Sequence, residues 1–181
     1  MPVQALLIGL AAIALIVLAR HAWVWNRYRG RRLIQCPENL RPAGVVVDAK
    51  HAAATAIGRA PELRLSSCTR WPERHNCGQE CLSQISESPE DCLVRNILAK
   101  WYAGKVCASC GRSVGEIDWA GSKPALLRPG KISVEWNQVP ADQLPEILAA
   151  SKPLCFACHM ANTLVREHPE LVVDRSSRLI N

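Results

Sequence analysis

The sequence predicts an α+β chain in which one N-terminal transmembrane helix precedes a small domain stabilised by bound metal. Three observations carry that prediction. Residues 3–19, VQALLIGLAAIALIVLA, form an uncharged apolar run. Nine cysteines follow in a chain of 181 residues, four of them as Cys-x-x-Cys pairs. Between these features, short β-branched runs alternate with helical patterns bounded by proline and glycine.

The apolar run comes first. A helix crossing the hydrocarbon core needs about 20 residues. Residues 3–25 meet that length if Trp23 and Trp25 sit at the interface, where indole rings are favoured. A cleaved signal peptide would carry basic residues before a shorter apolar core. Here no Lys or Arg precedes the run, whereas Arg20, Arg27, Arg29, Arg31 and Arg32 follow it. The positive-inside rule then places the N-terminus outside and the C-terminal domain in the cytoplasm, on a single-pass protein of the inner (cytoplasmic) membrane. The chain has 22 Lys+Arg against 16 Asp+Glu, and every acid lies after residue 32. The excess positive charge thus belongs to the juxtamembrane segment and not to the domain. That pattern excludes a nucleic-acid binder, which would spread basic residues over a domain face. It fits contact between membrane lipids and residues 20–32, or a topology signal alone.

Residues 26–43 read as a basic juxtamembrane segment and linker, with a loop over 33–42. A Cys-rich α+β subdomain is expected over 44–104. Within it, GVVVD at 44–48 reads as a strand, the Ala-rich stretch 49–57 as a helix, and 63–65 as a second strand. A short helix is expected over 78–85. Pro89 suits the start of a longer helix running through Cys92, Leu98 and Trp101 to Ala103, with Gly104 ending it. Residues 105–173 form the next expected subdomain. There 125–127 and 132–136 read as strands around a Pro129-Gly130 turn, and 140–150 as a helix. The second Cys-x-x-Cys pair opens a last helix that ends before Pro169. Residues 174–181 read as a frayed polar tail.

Cys107/Cys110 and Cys155/Cys158 are the usual supply of four thiolates for tetrahedral zinc. Gly111 permits the positive-φ turn that such a knuckle needs. A pair at a helix N-terminus also sets its thiolates against the positive end of the dipole. This order of knuckle, hairpin and helix resembles treble-clef and zinc-ribbon sites. The resemblance implies one Zn²⁺ held by Cys107, Cys110, Cys155 and Cys158. Two other readings use the same residues. Cys155-Phe-Ala-Cys158-His159 matches the c-type haem signature, with His159 as axial ligand. Either pair could instead be a redox dithiol.

Upstream, Cys68, Cys77, Cys81 and Cys92 supply four more thiols, suited to Zn²⁺ or a [4Fe–4S] cluster. A helix would put Cys77 and Cys81 on one face. Cys36 is a fifth thiol, either spare or a replacement for one of the four, and His75 is a possible substitute ligand. Trp71 and Pro72 could shield such a site. The segment from Cys68 onward also resembles single-pass, Cys-rich bacterial membrane proteins.

The chain carries no Walker A loop, G-x-G-x-x-G, G-x-S-x-G or H-E-x-x-H motif. A metal site closed by four thiolates leaves no open position for catalysis. The sequence therefore favours a non-enzymatic role. The first reading is a membrane-anchored cytoplasmic zinc protein, an accessory or scaffolding subunit with a protein partner in a larger membrane assembly. The alternatives are an iron–sulfur electron-transfer protein and a c-type haem protein.

Overall fold

A computed structural model describes residues 2–74, 76–130 and 132–171. His75 and the tail expected over 174–181 lie outside the described residues. The fold mixes helix and sheet, as the sequence predicts, and the chain divides into two units, one up to Ile97 and one from Leu98. That division lies inside a helix, whereas the sequence reading places the change at Gly104.

Helix α1 spans Pro2–Tyr28. From Val3 to Tyr28 it is long and apolar enough to cross a membrane, with a mean hydropathy of 2.3 over its best window and none of that window buried. The helix does not stop where the apolar run ends. Its last turns enter the core of the first unit, where Val24 and Tyr28 are buried.

The first unit contains a three-stranded antiparallel sheet ordered β1-β2-β3, from Arg31–Gln35, Pro42–Val47 and Leu65–Cys68. Helix α2, Ala49–Thr55, packs against α1. Asp48 caps α2 by accepting a hydrogen bond from the His51 N–H at 3.0 Å. The loop expected over 33–42 is thus corrected: its first part is strand β1. Arg32 and Ile34 face inward while their neighbours are more open. An arginine on the buried face hides the period-2 pattern that would otherwise reveal a strand.

Two helix starts also move. Helix α3 spans Leu82–Glu87 and begins later than expected, because Gln79 takes a positive φ of 59° and Cys81 occupies the N-cap. Cys77 therefore sits in the preceding loop and shares no helix face with Cys81. Helix α4 spans Val94–Tyr102. Its start is delayed because the chain at 92–93 runs along the edge of β1, with Leu33 N–H donating to the Cys92 carbonyl at 2.8 Å. Cys92 thus precedes the helix that was expected to contain it.

The second unit holds strands β4 (Ala125–Arg128), β5 (Ile132–Glu135) and β6 (Lys152–Leu154), antiparallel in the order β5-β4-β6. The expected hairpin is present. Strand β6 is not legible in the sequence, being three residues long with a proline at its centre. The helix expected over 140–150 opens as a 3-10 turn, Ala141–Gln143, and continues as α5, Leu144–Ala150. Helix α6, Phe156–Glu167, packs on β5, and Cys155 is its N-cap residue.

Candidate metal centre

The two Cys-x-x-Cys pairs, far apart in the chain, come together in the second unit. The first lies on a tight turn closed by an isolated bridge between Val106 and Ser113. There Cys107 N–H donates to the Arg112 carbonyl at 2.8 Å, and Gly111 N–H to the Cys107 carbonyl at 2.9 Å. Gly111 takes φ +71°, the left-handed conformation that a side chain disfavours. The second pair follows β6, whose pairing with β4 sets the height of Cys155. A backbone hydrogen bond ties the turns together, from Ala108 N–H to the Pro153 carbonyl at 2.8 Å.

The result is a four-thiol cluster. The sulfurs of Cys107, Cys110, Cys155 and Cys158 all lie within 4.8 Å of one another. Tetrahedral zinc with Zn–S bonds near 2.3 Å requires S–S separations of about 3.8 Å. Cys110 Sγ and Cys155 Sγ are 3.8 Å apart. The expected convergence of these four residues is therefore present, and the cluster could hold a metal ion.

Electrostatics differ from sulfur to sulfur. Burial pushes the Cys107 thiol up. N–H groups of Cys155, Cys110 and Ser109 aimed at its sulfur together outweigh that and bring it down to about 6. One of them, Cys155 N–H, lies 3.3 Å from Cys107 Sγ. Thiolate-favouring N–H groups are what a metal-binding knuckle supplies. Cys158 moves the other way, to about 12, first because its thiol donates to Cys155. Metal binding to such thiols releases protons, so retention is expected to weaken in acid.

His159 belongs to a different network. It is 7% exposed. Its Nδ1 lies 3.0 Å from Ser133 Oγ, and that hydroxyl donates to Asn162 Oδ1 at 2.8 Å. The hydroxyl proton is thereby used, so Nδ1 carries the hydrogen and Ser133 accepts it. The Nε2 atom faces Glu135 at 3.8 Å. His159 thus braces α6 on β5 through groups other than the sulfur cluster.

The upstream cysteines are sorted differently. Cys68, Cys77 and Cys81 line one cavity of about 260 Å³, and Cys36 lines it as well. Cys92 does not line it; its thiol donates to the Ser88 carbonyl at 3.3 Å. Cys36 enters because the β1–β2 turn and the end of β3 lie at the same end of the sheet, with Gln35 opposite Pro42 and Val45 opposite Cys68. The sequence signal for this was the hairpin, hidden by the inward arginine in β1. Burial first, then the nearness of Cys68, Cys77 and Cys36, pushes the Cys81 thiol up to about 11.

The juxtamembrane arginines are mostly engaged with the protein itself. Arg20 donates to the carbonyls of Ala56 and Arg59 at 2.6 and 2.8 Å, at the C-terminal end of α2. Arg32 is fully buried, and its guanidinium donates to the carbonyls of Pro89 and Arg27. Arg27 and Arg29 stack over Trp23 and Trp25, their guanidinium carbons 5.0 and 4.8 Å from the ring centroids.

No protein-family model, curated protein or solved structure matches the chain.

Proposed function

We propose that this chain is a membrane-anchored zinc protein, an accessory or scaffolding component of a larger membrane assembly whose domain faces the cytoplasm. The observation that carries the zinc reading is the closure of four sulfurs to within 4.8 Å. Four thiolates at that spacing suit one tetrahedral ion and leave no coordination position for a substrate. Bound there, zinc would cross-link the first turn to the start of α6. The order of knuckle, hairpin and helix is what a treble-clef-like or zinc-ribbon-like unit requires.

The anchor reading rests on two features. The apolar helix has the length to span a bilayer. It also runs unbroken into a buried core through Val24 and Tyr28, which favours a retained helix over a removed leader. The cytoplasmic orientation rests on the arginines that follow the run. Trp23 and Trp25, each carrying a stacked arginine, suit the headgroup level, so lipid contact falls to Arg27 and Arg29 more than to Arg20 and Arg32. The c-type haem reading is less favoured, because the geometry gives both ring nitrogens of His159 other neighbours.

Metal analysis of purified full-length protein tests the zinc reading. One zinc should be bound at the C-terminal cluster, colourless and tightly held. Cys110→Ser should lose it and expose the second unit to proteolysis, while His159→Ala should keep it. Loss of a coloured group in His159→Ala, with metal retained in Cys110→Ser, would replace zinc by haem.

A further inference from the structure

We propose that Cys36, Cys68, Cys77 and Cys81 form a second metal site, built for a four-iron, four-sulfur cluster, with Cys92 outside it. The inference is independent of the zinc reading, since it concerns other cysteines in the other unit.

The first argument is size. The four cysteines line one cavity of about 260 Å³. Among the described residues, the C-terminal cysteines are the group whose donor atoms all fall within 4.8 Å of one another, and the upstream four do not form such a group. A single zinc needs its sulfurs about 3.8 Å apart. A cubane sets its four thiolates roughly 6–7 Å apart, because each binds a different iron. The same chain thus builds one closed four-thiol site and one open one, and the open one has room for inorganic core atoms.

The second argument is the wall of the cavity. Three separate elements deliver the ligands: the β1–β2 turn carries Cys36, the end of β3 carries Cys68, and the loop entering α3 carries Cys77 and Cys81. The loop is pinned by Gln79, whose side-chain oxygen accepts from Leu65 N–H at 2.7 Å. Hydrogen bonds already reach two of the sulfurs. Arg70 donates to Cys36 Sγ at 2.8 Å, and Gln79 N–H to Cys77 Sγ at 3.4 Å. Such bonds stabilise thiolates and tune cluster potentials. Four thiolates around a [4Fe–4S]²⁺ core carry a net negative charge. Arg70 and Arg74 line the cavity beside Glu38, which both guanidinium groups hold, and the exposed Glu80. Trp71 lines the cavity and packs against the apolar core, giving it one apolar wall.

The third argument is where Cys92 goes. Its thiol donates to the Ser88 carbonyl at 3.3 Å beside the guanidinium of Arg32. The segment 92–93 is fastened to the edge of β1, so Cys92 has no route to the cavity without breaking that pairing.

The test is anaerobic purification of the full-length protein in detergent, then incubation with ferrous iron and sulfide. The wild type should take up about four iron and four sulfide ions per chain, with broad absorption near 400 nm that bleaches on reduction by dithionite. Cys92→Ser should keep the full iron content, whereas Cys36→Ser should lose at least half of it. Zinc at the C-terminal cluster, measured in the same samples, reports whether Cys36→Ser protein is still folded there. Wild-type protein that takes up no iron and sulfide, or binds a second zinc at these cysteines, would overturn the proposal. So would loss of iron in Cys92→Ser with retention in Cys36→Ser.

Discussion

Arg32 illustrates how one side chain organises its surroundings. Its guanidinium, fully buried, satisfies the carbonyls of Arg27 at the end of α1 and Pro89 before α4, while lying over the Tyr28 ring. Arg32→Leu removes both donors and leaves two carbonyls to find other partners. The expected cost is about 1–3 kcal/mol for each carbonyl that stays unsatisfied. A denaturation midpoint equal to wild type would show that water replaces the guanidinium without loss. Tyr102 has a similar, smaller role in the second unit. Its hydroxyl donates to the buried Ala125 carbonyl at 2.7 Å, and burial pushes its own ionisation well above the usual tyrosine range. Tyr102→Phe is expected to cost about 1 kcal/mol, read from the shift in denaturant midpoint.

At the scale of elements, helix ends carry the testable chemistry. Asp48 caps α2 and pairs with Arg64 at 2.6 Å. The His51 N–H, followed by Arg64, holds its carboxyl below the usual carboxylate range. A carboxyl depressed in the folded state stabilises the fold above its ordinary pKa, and that contribution fades as the pH falls through its folded value. Asp48→Asn should therefore melt below wild type at pH 7, and the gap should close in acid, below the ordinary carboxylate range near 4. A gap that is constant with pH would assign the role to shape and not to charge. The knuckle turn offers a second case. Gly111 is at φ +71° with open space where a Cβ would sit, so Gly111→Ala adds backbone strain without a clash. About 1–2 kcal/mol of strain is expected, seen as weaker zinc retention against a chelator.

For the whole molecule, the decisive quantities are sidedness and metal dependence. With the domain in the cytoplasm, an impermeant maleimide added to intact cells should label none of the nine cysteines. Labelling from outside would reverse the orientation and reopen the haem reading. Structural zinc contributes about 10–16 kcal/mol of apparent folding energy in small peptide domains. Stripping it with a chelator should therefore make the region from Lys105 to α6 sensitive to protease. Resistance equal to the metal-loaded protein would show that the buried apolar residues Ala125, Leu126, Leu144 and Leu154 hold that unit alone.

Sequence alone determined the features that depend on local chemistry or on unbroken patterns. The uncharged run, the two Cys-x-x-Cys pairs, the Pro129-Gly130 hairpin and the helix opened by Cys155 were legible because each signal sits within a few residues. The convergence of Cys107, Cys110, Cys155 and Cys158 was legible too, because paired thiols at that spacing have few alternatives. The tertiary structure decided what depends on partners far along the chain. Strand β1 was obscured by an inward arginine whose acceptors include a carbonyl 57 residues away. Cys92 was expected on a helix, yet pairing with β1 holds it before α4. Cys36 lines the upstream cavity because sheet order, not sequence distance, sets which thiols are neighbours. Thiols paired within one turn can be read along the chain; which thiols from three elements become neighbours is settled only when strands choose their register.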